Sequence, residues 1–259
     1  MIYSGIDTAA RISAQSANTL KENGIDFAVR YLVPESGITA WKALTKAEAN
    51  DIRAAGLALM LCWELTGNRV KGGTEAGAAD GLRAWQLAEA MGVPAGTVIY
   101  FAADYNAPAA DFDEIEAYLT AAQRNLEQYN AGLYGHEALV REMAARGVCR
   151  HFWQCVAWSN AFDAAATVRQ YAWQGADEAK ALAGKVGFAV DLDSADTLSS
   201  MWPAVRQRTE PEDAHKWALS MGITDESMRD VSQLELALWR YHRIFSAEDT
   251  KNASGLLAE

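Results

Sequence analysis

Eight short apolar runs recur along the first two hundred residues, and most of them end in a carboxylate or an aromatic residue. Near-continuous apolar runs of this length are typical of strands buried on both faces, as in a parallel sheet covered by helices. The pattern predicts an α/β fold of the TIM-like (β/α) barrel type, with polar groups gathered at the C-terminal ends of its strands. The runs are 2–7, 27–32, 57–64, 98–104, 131–134, 152–158, 168–173 and 188–193.

Segments with helical patterning separate the first runs from one another. Asp111 is predicted to be the N-cap of the fourth helix. After about residue 150 the connecting pieces are short or polar, and Gly175, Gly184 and Gly187 are interpreted as turns. The pattern therefore predicts five βα units followed by three strands with little helix between them. The five predicted helices are 13–23, 45–55, 74–91, 111–128 and 137–146.

A change in composition near residue 203 predicts a domain boundary. Residues 1–205 are expected to form the barrel, and the charged stretch 206–211 has the composition of a linker. Two amphipathic helices are predicted at 212–221 and 232–245, which makes 206–259 a linker with a small C-terminal helical appendage. Because about fifty residues bury little surface alone, these helices are expected to dock on the barrel or to form a homodimer with a second copy.

The net charge of −11 argues against nucleic acid, anionic membranes and anionic wall polymers as electrostatic partners. Cys62, Cys149 and Cys155 lack metal-ligand spacing, so neither a metal nor another cofactor is predicted, and their free thiols suggest a reducing compartment. The chain opens directly on a strand, without a signal-peptide pattern, and no run reaches the ~20 apolar residues of a membrane span. Cytoplasmic synthesis is therefore expected.

The ends of the apolar runs carry the residue types that glycoside hydrolysis needs. That reaction uses two carboxyl groups facing a sugar, ~5–5.5 Å apart for retention or ~6.5–9.5 Å apart for inversion. The run ends supply four carboxylates that are expected to converge at one barrel mouth: Asp7, Glu64, Asp104 and Asp191. The aromatic and amide side chains predicted to contact the sugar are Tyr31, Trp63, Tyr134, Gln154, Trp158, Gln170, Tyr171 and Trp173. In the competing interpretation such aspartates are helix caps or turn formers, and Asp191 with Asp193 only secures the last strand.

Several motifs resemble those of a bacterial and phage glycoside-hydrolase-like domain, long labelled a domain of unknown function. They are GIDTA at 5–9, RY at 30–31 and YFAADY at 100–105. That domain is similar in fold to the family 25 lysozymes (muramidases), whose barrel has five βα units and three extra strands. RQYAW at 169–173 and VDLD at 190–193 resemble the Trp-Gln-Tyr and Val-Asp-Xaa-Asn motifs of those lysozymes. The resemblance covers roughly residues 1–203.

The resemblance implies roles for particular carboxylates. The first-strand and last-strand aspartates of the lysozymes match Asp7 and Asp191. Their fourth strand ends in Asp-Xaa-Glu, in which the Glu is the general acid, and the matching position here is Asp104. Ala102 stands where the lysozymes have the Asp of that triplet, and Glu64 is the candidate replacement. Asp104, Asp7 and Glu64 are therefore the expected catalytic residues.

The C-terminal stretches 217–225 and 233–241 resemble one copy of the helical repeat of S-layer-homology modules, which implies wall binding or dimerisation. Taken together, the motifs predict a peptidoglycan-directed hydrolase of lysozyme or phage endolysin type that acts on peptidoglycan or another cell-wall polysaccharide once released. Two alternatives stay open. One is a carbohydrate-binding module that has lost its acid/base pair, and the other is an intracellular structural or morphogenetic protein.

Overall fold

The chain forms a closed barrel of eight strands with helices around it, as the apolar runs predict. The structure is a computed structural model and describes residues 2–205. Neighbouring strands from β1 to β7 run parallel, whereas β8 runs antiparallel to both β7 and β1 and closes the barrel. The strands are β1 Tyr3–Asp7, β2 Phe27–Tyr31, β3 Ala58–Trp63, β4 Val98–Ala102, β5 Asn130–Gly135, β6 Phe152–Gln154, β7 Val168–Ala172 and β8 Asp191–Ala195.

A helix follows each of the first five strands, so the five predicted βα units are confirmed. They are α1 Ala14–Glu22, α2 Lys46–Ala54, α3 Gly73–Met91, α4 Phe112–Arg124 and α5 Glu137–Arg146. Ser13 and Thr45 cap α1 and α2 through their hydroxyl oxygens, which accept hydrogen bonds from backbone N–H groups of the first turn. Asp111 precedes α4 without such a bond, because its carboxylate accepts from the Tyr105 hydroxyl and pairs with Lys71. Asp111 therefore occupies the predicted N-cap position, but its side chain does not cap the helix.

A sixth helix, α6 Asp177–Val186, lies between β7 and β8, so the prediction of little helix after residue 150 is wrong. Its buried residues Ala179, Leu182 and Val186 recur at helical spacing. Gly184 lies inside this helix and Gly187 ends it in the left-handed conformation, at φ 86°. The helix was not predicted because two glycines within four residues suggested turns and because only three of its residues are buried.

Two apolar layers hold the barrel together. One lies between the strands and the helices, and the other fills the barrel interior. Within the interior, the Phe27 ring occupies the space beside Gly5, where a Cβ atom would lie 2.2 Å from it, and the Tyr100 ring lies against Gly132 in the same way. Large rings opposite glycines fill the barrel below its mouth, so the polar side chains are left at the C-terminal ends of the parallel strands.

Glycines also allow a close approach of α3 and α4. A Cβ atom at Gly77 would lie 2.1 Å from the carbonyl oxygen of Tyr118, and one at Gly81 would lie 2.4 Å from that of Ala122. The two backbones touch directly at these positions, and the Tyr118 hydroxyl crosses to Asp80 with a 2.6 Å hydrogen bond.

Among residues 2–205, no helix combines the length and apolar character that membrane crossing requires.

The chain from 201 to 205 belongs to the barrel. Trp202 is buried and exchanges backbone hydrogen bonds with Leu59, and the Arg53 guanidinium lies 4.4 Å from the centre of its ring. The predicted linker, the C-terminal helices and the homodimer that they would form lie outside the described residues, and the domain boundary stays a prediction.

Candidate active site at the barrel mouth

Four carboxylates meet at one mouth of the barrel. Asp7 ends β1, while Glu64 and Asp104 follow β3 and β4. Asp191 begins β8, and because that strand is antiparallel its start lies opposite Asp7. All four line one cavity of about 110 Å³, which confirms that they converge. The other lining residues are Tyr31, Cys62, Ala102, Tyr134, Trp153 and Gln170.

Gln170 holds two of the carboxylates side by side. Its Nε2 donates to Asp7 Oδ2 at 2.8 Å and to Asp191 Oδ2 at 3.0 Å, while its Oε1 accepts from the Tyr134 hydroxyl at 3.2 Å. The backbone N–H of Gln174 donates to the second oxygen of Asp191 at 2.5 Å. Every polar atom of the buried Gln170 amide is thus used to position the Asp7–Asp191 pair.

The surroundings of this pair favour protonation. Burial raises the pKa of Asp7 to about 7, with a further contribution from the charge of Asp191, although hydrogen bonds from Gln170 and Asp193 act in the opposite direction. Burial likewise raises the pKa of Asp191, against the hydrogen bond from Gln174. Asp7 is therefore partly protonated at neutral pH, which is unusual for an aspartate and typical of acid–base sites.

Glu64 and Asp104 differ in how they are paired. Lys42 Nζ lies 3.2 Å from Glu64 Oε1 and 4.3 Å from the centre of the Tyr31 ring, and Lys42 is itself buried. Asp104 is partly exposed at the mouth and forms no ion pair with a described residue. Its desolvation and the nearby Glu64 charge raise the pKa of Asp104, whereas Lys42 lowers it. An unpaired acid thus faces solvent beside a carboxylate fixed by a buried cation.

The chain is similar to known proteins in both sequence and fold. The family model of the Rv2525c-like, glycoside hydrolase-like domain matches residues 18–196. The chain belongs to this family. YbfG of Bacillus subtilis is 31% identical over 57% of this chain and 22% of its own length. The chain spans less than a quarter of the curated relatives that it matches.

Solved structures show the same barrel. The Tat-secreted protein Rv2525c of Mycobacterium tuberculosis, crystallised with L-tartrate, superposes with a TM-score of 0.65 at 21% identity, over 78% of this chain and 98% of that one. GHIP of Streptococcus pneumoniae, a glycosyl hydrolase 25, has a TM-score of 0.50 at 13% identity, over 76% of this chain and 88% of that one. The glycoside-hydrolase-like resemblance and the lysozyme-type barrel are thereby confirmed, and at these identities the structures establish the fold alone.

Within this family fold, five residues predicted to bind sugar lie outside the cavity, and three of them belong to strands of the barrel. Trp63 is buried on the helix side of the barrel, with its ring centre 6.4 Å from that of Phe101. Gln154 donates to the Ala161 carbonyl at 2.7 Å and accepts from the Asp163 N–H at 2.8 Å, so it holds the loop after β6. Tyr171 is partly exposed on the outer face of β7. The structure corrects all three assignments.

Three tryptophans lie in segments that follow strands at the mouth side of the barrel. Trp158 and Trp173 follow β6 and β7, where they were expected to contact sugar, and they are 48% and 61% exposed. Trp41 is 71% exposed in a short 3-10 helix, Gly37–Lys42, that follows β2. None of the three lines the cavity described above, so we refer to them as the rim tryptophans.

The cavity wall also contains residues that were not predicted to belong to the site. Cys62 and Trp153 line it together with Ala102, and Lys42 contacts the lining residue Glu64 from the 3-10 helix. Burial and the nearby Glu64 charge raise the pKa of the Cys62 thiol, so it is a neutral wall group. The available signal was the two-residue alternation of side chains along each strand, which places Cys62 on the same face as Glu64 and Ala102 on the same face as Asp104.

No group of three or more His, Cys, Asp or Glu side chains suited to a metal ion occurs within residues 2–205.

Proposed function

We propose that this barrel hydrolyses glycosidic bonds of a cell-wall polysaccharide, with peptidoglycan as the expected substrate and a lysin-like role at the wall. The observation that carries the proposal is the ring of four carboxylates around one cavity, of which Asp7, Asp104 and Asp191 have raised pKa values. A glycosidase needs one carboxyl that stays protonated near neutral pH and another that is ionised, and unequal surroundings are how one site supplies both.

Asp104 is the proposed general acid. Its carboxyl is partly exposed at the mouth, where the oxygen of a leaving sugar has access, and the Glu64 charge favours its protonated form. Asp191 and Asp7, held together by Gln170, face the same cavity, and in their ionised forms they would stabilise the positive charge that develops on the sugar ring. Glu64 acts through its charge on Asp104, since its own carboxylate is held by Lys42.

The dimensions of the site support binding of a chain across the mouth. A cavity of about 110 Å³ is smaller than the ~300–1,000 Å³ of ordinary ligand pockets, so it would admit one sugar ring or part of one. Neighbouring sugars would then lie over the rim, where Trp41, Trp158 and Trp173 present exposed faces. Aromatic faces pack well against the C–H surfaces of sugars.

Digestion of purified peptidoglycan, followed by mass spectrometry of the soluble products, tests the proposal. The wild-type protein should release muropeptides with new reducing ends, and Asp104→Asn should release at least a hundredfold less, since general acids contribute about 10²–10⁴-fold to rate. Asp113→Asn, on the exposed surface of α4, is the matched control and should retain full activity. Undiminished activity in Asp104→Asn would exclude Asp104 as the acid.

A second candidate is a carbohydrate-binding barrel without hydrolase activity. Ala102 favours it, because the lysozyme motif has a carboxylate there, and so does the ion pair that occupies Glu64. In that case the wild-type protein would sediment with insoluble peptidoglycan yet release no product. Trp41→Ala and Trp173→Ala would then weaken sedimentation, while Asp104→Asn would leave it unchanged.

A further inference from the structure

A third aspartate lies beneath the Asp7–Asp191 pair. Asp193 is 0% exposed, and its Oδ1 accepts a 2.8 Å hydrogen bond from Trp153 Nε1. Its Oδ2 is buried and receives no hydrogen bond from any group in residues 2–205. A buried carboxylate oxygen without a donor is costly, because the desolvation of its charge is not compensated.

The register of β1 and β8 brings Asp193 against Asp7. Asp191 pairs with Asp7 and Asp193 pairs with Gly5, so all three aspartates lie on the inner face of the two strands. Gly5 has no side chain, so the carboxyls of Asp193 and Asp7 are diagonal neighbours across the strand pair, and each affects the ionisation of the other. Two carboxylates in such contact cannot both be ionised without strong repulsion.

Among residues 2–205, no cationic group acts on Asp193 to keep it ionised. The titratable groups acting on Asp7 and Asp193 from the other strands are Tyr31, Cys62, Asp104, Tyr134, Tyr171 and Asp191, which are neutral or negative. The buried ammonium of Lys42 pairs with Glu64 instead. Burial and the charge of Asp7 accordingly raise the pKa of Asp193 well above the usual range, against the hydrogen bond from Trp153.

We propose that Asp193 is a positioning residue that carries a proton at neutral pH and donates it in a hydrogen bond to the Asp7 carboxylate. In the neutral form both oxygens of Asp193 have a hydrogen-bond partner, since Oδ1 accepts from Trp153 and the protonated Oδ2 donates to Asp7. An asparagine would offer the same acceptor and the same donor, and the lysozyme motif matching VDLD at 190–193 has Asn in this place. Asp193 thereby favours the ionised form of Asp7, which burial would otherwise protonate more fully.

The first test compares the pH dependence of stability in wild type and Asp193→Asn. A proton held by the native state and released on unfolding makes stability fall as pH rises. From about pH 4, the ordinary pKa of Asp, the wild-type unfolding equilibrium constant should therefore rise about tenfold per pH unit relative to that of Asp193→Asn. Asp196→Asn, one residue beyond β8, is the control, because its exposed carboxylate pairs with Arg169 and should produce no such rise. Parallel wild-type and Asp193→Asn profiles would overturn the proposal, as would failure of Asp193→Asn to fold.

The second test follows Asp7 itself by the side-chain ¹³C resonances of its carboxyl across a pH titration. Its midpoint should stay near pH 7 in Asp193→Asn, because the donor to Asp7 is retained. If Asp193 were ionised in the wild type, the substitution would remove a neighbouring negative charge and lower that midpoint clearly, which would contradict the proposal. The site is that of the proposed hydrolase, yet both readouts are independent of catalysis. A protein that cleaves no polysaccharide can therefore still confirm or refute the role of Asp193.

Discussion

At the scale of single residues, the protonation of Asp104 depends on its desolvation and on two opposing charges that contact each other. Desolvation raises the pKa of Asp104, the Glu64 charge raises it further and Lys42 lowers it. Lys42 Nζ is 3.2 Å from Glu64, and both side chains are largely shielded from water, so salt screens this balance less than it would at the surface. The buried lysine therefore adjusts the acid without needing to touch a substrate.

Replacement of Lys42 by Met should raise the pKa of Asp104, because the positive charge that opposes its protonation is lost. In an active enzyme, the alkaline limb of the kcat/KM profile should shift to higher pH, since Asp104 would remain protonated further into that range. The check is a pH–rate profile on solubilised peptidoglycan, or a ¹³C titration of Asp104 if turnover is absent. Lys71→Met removes a more exposed lysine that pairs with Asp111, and it should leave the profile in place. An unchanged or acid-shifted limb in Lys42→Met would contradict this account.

Which of two adjacent residues faces the cavity was hard to predict from sequence. The strand ends were located correctly, yet Trp63 and Gln154 were chosen where Cys62 and Trp153 face inward. Strands of this barrel are buried on both faces, so hydrophobicity does not reveal the inward positions, and a shift of one residue exchanges the faces. The four carboxylates were assigned to the cavity correctly, because a charged group at the end of a buried strand is more stable at the mouth than against the helices.

At the scale of secondary-structure elements, periodicity located the helices where the apolar face was long. Five helices were predicted within a few residues of their ends, whereas α6 was missed because Gly184 and Gly187 suggested turns. Helix propensity is a weak signal that packing overrides, and α6 buries three apolar residues despite its glycine. The direct backbone contact of α3 with α4 was likewise not predicted, because a glycine in a sequence does not indicate which element packs against it.

Gly77→Ala should destabilise the barrel, because its Cβ atom would lie 2.1 Å from the Tyr118 carbonyl oxygen and would force α3 and α4 apart. Overpacking of this kind costs about 1–3 kcal/mol in free energy of unfolding. Gly184→Ala is the matched control, because a Cβ atom there meets nothing within 4 Å. It should stabilise the protein by about 0.5–1 kcal/mol through the better helix propensity of alanine. Denaturant unfolding of both variants measures the difference, and equal effects would contradict the packing argument.

At the scale of the whole molecule, the barrel is completed by the segment after its last strand. Val98 N–H donates to the Ser200 carbonyl at 2.8 Å, Leu59 exchanges two backbone bonds with Trp202, and Val205 N–H donates to the Arg53 carbonyl at 2.9 Å. The closed topology was predictable from eight runs and the lysozyme-like motifs. The antiparallel direction of β8 was not predicted, since an apolar run has no direction, and Asp191 begins this strand instead of ending it.

Truncation after Arg208 should leave a folded barrel, because the contacts of 200–205 are retained. Truncation after Thr197 removes Trp202, whose side chain is 2% exposed, and should cost about 3–5 kcal/mol, in the range for loss of a buried aromatic residue. Thermal unfolding and size-exclusion chromatography of the two shortened chains and the full chain check this. Similar melting of both shortened chains would place the domain boundary before residue 198.

The net charge of −11 makes a prediction about the encounter with cell walls. Because anionic wall polymers repel an acidic protein, binding to intact walls should strengthen as salt is added from about 0.1 M to 1 M, where the screening length falls from about 10 Å to 3 Å. Walls chemically stripped of anionic polymers are the control, and binding to them should change little with salt, because the proposed stacking of sugars on the rim tryptophans would involve no charge. Sedimentation of the protein with both wall preparations measures the effect. Binding to intact walls that weakens with salt would instead reveal a basic contact surface that outweighs the overall charge.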